Sequence, residues 1–229
     1  MTITTTKLTR AAGIAAAVAG LLFIGVQIRH PHVDLGFATT TEWKVREGVK
    51  VLFAALSLAG ITGMYTRQVK QTGVLGLLGY VLFSVGCLAM MCVEVVGAVV
   101  VPSIAHSSPG YVSDVLAVAI GGHATGDIGL MNALISTMAI GFLGGGVVFG
   151  IALFRADVLA RWASGLLAVA AVATASRAVL PHLNERLFAI PTGIALVGLG
   201  WSLWREQRTA IALPLPIVVS PGLEPVGAK

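Results

Sequence analysis

The chain has 229 residues, 56% of them hydrophobic and only 11% charged, with a mean hydropathy of +0.91. A soluble domain carries about 25% charged residues, so this composition excludes an ordinary soluble protein and points to an all-α polytopic membrane protein. The net charge of +5 does not indicate a nucleic-acid partner, because the basic residues are scattered over loop ends, where they read as topology signals.

Taken in order, residues 1–10 form a Thr-rich N-terminal segment with Lys7 and Arg10 directly before an apolar run. Ala11 to Ile28 is too long for the core of a secretory signal and is followed by further apolar segments, so it reads as a retained first span. Its Ala11, Ala12, Ala15, Ala16 and Ala19 permit close helix approach. Pro31 ends it. Val33 to Glu47 reads as a polar loop, with Trp43 as an interfacial anchor. The second span is expected over Gly48 to Tyr65, followed by a short basic turn from Arg67 to Gly73.

Gly73 to Val101, interrupted by the single charge of Glu94, is long enough to cross a bilayer and is expected to stop at Pro102. Its two cysteines, Cys87 and Cys92, lie five apart and face different sides of a helix, which argues against a mutual disulfide. Between Pro102 and Asp127, the apolar run Val112 to Ile120 is too short to span and predicts a re-entrant or interfacial helix. The fourth span, Ile128 to Phe154, carries Gly141, Gly144, Gly145, Gly146 and Gly150, a pattern for close helix packing. The fifth runs from Trp162 to Leu180 and the sixth from Leu187 to Trp204. The architecture expected is one bundle of about six transmembrane helices over 11–205, with a Pro-rich disordered tail at 206–229. Lys7, Arg10, Arg67, Lys70, Arg155, Arg161, Arg205 and Arg208 outweigh the basic residues of the other side, which puts both termini in the cytoplasm of a multi-pass cell-membrane protein.

An ionisable group inside a span is a site by default, with a partner to be found. At 1.5 Å per residue, Glu94 lies about 12 Å below Pro102, in the outward half of the bilayer. Gln27, Glu47, Lys50, Asn132 and Arg177 fall at similar depth on other helices, and polar groups in hydrocarbon are cheapest facing one another. Arg177 is the first-choice partner for Glu94, with Lys50 and Arg177 alternatively snorkelling to headgroups and Gln27 and Asn132 simply joining helices. Tyr80 and Phe83, counted back from Glu94 in helical steps, and Trp43 are expected to wall an apolar cavity. Asp114 and Asp127 sit beside the same outward mouth as reserve acids. His123 with Asp127, or His30 with His32, matches no strong metal pattern, so neither a metal nor a cofactor is expected.

The stretches AAGIAAAVAGLLFIGVQIRHP, LAGITGMYTRQVKQTGVLGLLGYVLF, GIALFRADVLARWASGLLAV and LPHLN together resemble a family of small actinobacterial integral-membrane proteins. That family includes the membrane-bound terpene cyclases of drimentine-type biosynthesis. The resemblance covers Arg10 to Trp204 and implies a helical bundle that cyclises a linear prenyl group on a lipophilic substrate, acting as an isomerase of terpenoid biosynthesis. Fungal meroterpenoid cyclases are a second comparison, but they have seven spans and their acidic motif finds no residue-by-residue match here, so no catalytic residue is carried over. The residues themselves fit such chemistry. Protonating an alkene takes a carboxylic acid in an apolar site with π faces for the resulting cation, which makes Glu94, then Asp127 and Asp114, the catalytic candidates. Trp43, Glu47, Tyr80, Phe83, Asn132 and Arg177 are the substrate-binding candidates. A substrate-capturing subunit of a small-molecule transporter, or a non-catalytic membrane partner, accounts for the same features.

Overall fold

The computed structural model describes residues 4–28, 31–175 and 189–212, with backbone alone over 207–212. The elements are α1 (Thr5–Gln27), α2 (Leu35–Ala38), α3 (Thr41–Arg67), α4 (Val69–Ile104), α5 (Pro109–Ala119), α6 (Leu130–Ala156), α7 (Arg161–Ala175) and α8 (Ala189–Ala212). No strand occurs among the described residues. Four helices, α1, α3, α4 and α6, are long and apolar enough to cross a membrane. The shorter α7 has 15 described residues; the rest of the expected fifth span, with Arg177, lies outside the described residues, as do 213–229 of the tail.

Several boundaries differ from the sequence expectation, each for a local reason. Thr4 accepts from the Lys7 N–H, so α1 starts within the Thr-rich segment. The polar stretch before the second span is mostly helical. Asp34 caps α2, and Thr40 accepts from the Trp43 N–H to start α3, which brings Glu47 well inside a helix. The turn after Arg67 is tight, because Val69 already begins α4 and Gly73, at φ +56°, takes up the bend. Residues 206–212, placed in the tail by the sequence, continue α8.

The six longer helices form a closed ring in chain order, α1–α3–α4–α6–α7–α8, with α8 returning to α1. Two seams are set by glycine. A Cβ on Gly86 would stand 2.1 Å from the Phe142 nitrogen, so α4 and α6 touch backbone to backbone. On the other side a Cβ on Gly13 would stand 2.7 Å from the Gly200 oxygen, which closes α1 on α8. The ring is filled by phenylalanines: Phe23 stacks on Phe53 at 4.3 Å, and Phe142 meets Phe53 and Phe83 edge-on. Outward faces carry exposed Val74, Leu78, Val85 and Leu88 along α4, an arrangement suited to hydrocarbon rather than water.

The ring has two chemically distinct ends. At one, Arg67 pairs with Glu206 and the Arg10 guanidinium lies over the Trp204 ring. At the other, Arg46 donates to the Val26 carbonyl at 2.7 Å, and α2, α5 and the 120–129 loop cover the helix ends. Val112, Val115 and Leu116 of α5 are buried against Trp43, Val101 and Ile128, so this 11-residue helix lies on the bundle rather than crossing it.

Candidate functional site

At the end covered by α5, three titratable side chains meet across α3 and α4. Lys50 Nζ stands 2.5 Å from Glu47 Oε1 and 3.1 Å from Glu94 Oε2. Glu47 and Glu94 are 3% and 8% exposed, and the Lys50 side chain is partly buried at 21%. Glu47 and Lys50 are one turn apart on α3, so they present together towards Glu94. Trp43, one turn earlier, lays its ring 5.6 Å from the Lys50 ammonium and meets Phe37 edge-on.

The partner side of the site is shaped by a wide turn in α4. Val96–Val100 is a π-helical turn, in which the Val101 N–H reaches back five residues to the Val96 carbonyl. The next donor in that register would be residue 102, but Pro102 has no N–H. The carbonyl it would have served is that of Gly97, and this oxygen accepts from Trp43 Nε1 at 2.8 Å. Gly97 also makes room for the acid: a Cβ there would come within 2.9 Å of Glu47 Oε2. One tryptophan, one proline and one glycine thus fix where Glu47 and Glu94 face each other.

The remaining candidates lie elsewhere. Asp114 accepts from the Thr125 and Gly126 N–H groups at 2.9 and 2.8 Å and from the Thr125 hydroxyl at 3.0 Å, tying α5 to the following loop. These bonds, the Thr125 backbone one foremost, hold its carboxyl below the usual carboxylate range. Asp127 accepts from the Gly129 N–H at 2.7 Å, a turn that leads into α6. Asn132, Asp127 and His123 line a polar cleft of about 320 Å³ over that end.

Tyr80 and Phe83 belong to the core and not to the acid site. Tyr80 stacks on Tyr65 at 4.7 Å, with its hydroxyl 3.1 Å from that of Thr62, and Phe83 is fully buried against Phe142 and Phe149. Phe83 is 11 residues before Glu94, about 16 Å along the axis. The aromatic groups next to the acids are Trp43 and Phe37. An apolar groove of about 540 Å³ runs between α1, α7 and α8. The partner found for Glu94 is Lys50, while Arg177 falls outside the described residues. Cys87 is buried and Cys92 exposed, both as free thiols. Among the described residues no three His, Cys, Asp or Glu side chains gather closely enough to hold a metal.

Gly97 escaped the sequence reading, although the proline five residues later was the available signal. Fold and site together define an all-helical membrane protein with a buried two-acid, one-ammonium cluster near one end of its helix ring. No protein-family model, curated protein or solved structure matches the chain.

Proposed function

We propose that the chain crosses the membrane six times with both termini in the cytoplasm, and that the Glu47–Lys50–Glu94 cluster supplies the acid of a membrane-bound terpene cyclase. The observation that carries this reading is two buried carboxyls on either side of one ammonium. Unbalanced charge is costly in a low-dielectric site, so neutrality places one proton on the carboxyl pair. A proton held in this way, beside the π face of Trp43 and away from bulk water, suits transfer to an alkene. The proton adds to the terminal double bond of a linear prenyl group, and the tertiary cation is attacked by the next alkene to close a ring. A proton then leaves the last cation for the carboxylate. The product is an isomer of the substrate, and neither a cofactor nor a metal is consumed. The substrate is a lipophilic prenylated molecule that reaches the cluster from the bilayer beside Lys50. Asp127 and Asp114 are the reserve acids; Asn132, with its cleft, and Arg177 are retained as substrate contacts.

The test is incubation of the purified protein with linear prenylated compounds and a search for products of unchanged mass. Glu94→Gln and Glu47→Gln, which remove a transferable proton with little change of volume, are expected to lower turnover at least 100-fold, the scale of general-acid contributions. Undiminished turnover in both variants would move the acid elsewhere, and no isomer from the wild type would reject the cyclase. A second reading, a substrate-capturing transporter subunit, is favoured by the polar cleft around Asp127, His123 and Asn132. It requires a stoichiometric membrane partner on co-purification, whereas the cyclase acts alone.

A further inference from the structure

The groove between α1, α7 and α8 has a form the catalytic reading does not use. On α8 its lining is Ile194, Val197, Gly198, Trp201, Ser202 and Arg205, a single stripe at helical spacing. From Ile194 to Arg205 the stripe rises about 16 Å, close to half of the roughly 30 Å hydrocarbon core. It therefore has the length of one leaflet. Leu21 and Ile24 of α1 form the opposite wall, and the Trp162 ring, resting on Gly198, forms the floor.

The polar features lie at one end of the stripe. The mouth is marked by Arg205 and by Ser202, whose hydroxyl accepts from the Ala160 N–H at 3.0 Å. This is the end of the ring that carries Lys7, Arg10, Arg67, Arg155 and Arg161. Among the described residues this end carries two acids, Glu206 and Asp157, fewer than its basic residues. A positive rim thus stands over an apolar slot on the outer face of the bundle, whose lining tryptophans Trp162 and Trp201 remain exposed.

We infer that this groove is a binding site for an anionic phospholipid of the cytoplasmic leaflet, with one acyl chain along the α8 stripe and the phosphate at Arg205. Length selects an acyl chain of a single leaflet, and charge selects an anionic headgroup over a zwitterionic one. The leaflet rests on the topology proposed above, and the groove itself is independent of the acid cluster.

The experiment is native mass spectrometry of the full-length protein in detergent with added phosphatidylglycerol or phosphatidylcholine. The wild type is expected to retain one phosphatidylglycerol in preference to phosphatidylcholine. Arg205→Gln should cut that preference about fivefold, the worth of one basic residue at an anionic surface. Arg155→Gln, a basic residue at the same end outside the groove, should leave it unchanged. Ile194→Trp, which fills the slot from an exposed position, should lower retention of both lipids; should that variant not fold, the two arginine variants decide. Equal loss in Arg155→Gln and Arg205→Gln would overturn the site in favour of diffuse surface attraction. Equal retention of the two lipids would overturn it as well, as would a dimer of the chain that excludes lipid from the groove.

Discussion

Trp43 Nε1 donates at 2.8 Å to the Gly97 carbonyl, the oxygen that Pro102 leaves without a donor in the π register of α4. A buried carbonyl without a partner costs about 1–3 kcal/mol, so the indole offsets a defect created by the proline five residues away. The wide turn lets α4 pass through Pro102 to Ile104 instead of stopping there. Trp43 also lies against Lys50, so the same side chain fixes the helix register and flanks the charged cluster.

Trp43→Phe keeps most of the ring and removes the donor. It should destabilise the protein by about 1–3 kcal/mol, read from unfolding in detergent. Pro102→Ala restores an N–H near the Gly97 oxygen, so Trp43→Phe should cost clearly less in that background. A double-mutant cycle reads the coupling directly; additivity between the two substitutions would refute the link.

The seam between α4 and α6 should tolerate no methyl group at Gly86. A Cβ there meets the Phe142 nitrogen at 2.1 Å, which the helices can relieve only by separating. Gly86→Ala should therefore lower stability by at least the 1–3 kcal/mol typical of overpacking. Gly48 on α3 has nothing within 4 Å of its added Cβ and is the matched control. Gly48→Ala should be neutral or stabilising by about 0.5–1 kcal/mol.

Asp114 should make the 120–127 loop sensitive to acid. Its carboxyl is held below the usual carboxylate range by the Thr125 and Gly126 N–H groups. A folded value below the unfolded one means that its contribution is present above the ordinary pKa and is lost as pH falls through the folded value. Hydrogen exchange at Thr125 and Gly126 should thus be slow near pH 7 and should lose protection below the ordinary Asp value of about 3.9. Asp114→Asn should remove this acid step; an unchanged profile would detach the loop from the carboxylate.

What the sequence made legible was whatever depends on long-range composition. Uninterrupted apolar runs located α1, α3, α4 and α6, and the lone Glu94 marked the buried acid cluster. The start of α3 was not legible, because Thr40 looks like loop until its capping bond from the Trp43 N–H is seen. The partner of Glu94 was not legible either: depth alone could not rank Lys50 above Arg177, since facing depends on helix rotation. Tyr80 and Phe83 share a helical stripe with Glu94, yet α4 crosses different neighbours along its length, and at their level those neighbours are aromatic. A stripe on a long helix is a register and not a shared environment.

The charged cluster makes the strongest single prediction. Removing one partner of a buried ion pair leaves an uncompensated charge and typically costs about 3–5 kcal/mol. Lys50→Met strands Glu47 and Glu94, 3% and 8% exposed, without their shared cation. It should lower the unfolding temperature far more than Lys50→Arg, which keeps the charge. The triple substitution Glu47→Gln, Lys50→Met, Glu94→Gln removes all three ionisable groups and should recover much of the loss, since apolar replacement of buried ionic groups is often close to neutral. Cys87, buried against the core, supplies the readout. In a Cys92→Ser background, its labelling by a thiol reagent on heating reports unfolding. If Lys50→Met labelled at the wild-type temperature, the two carboxyls would need no cation beside them, and the charge balance that puts a proton on the pair would fail with it.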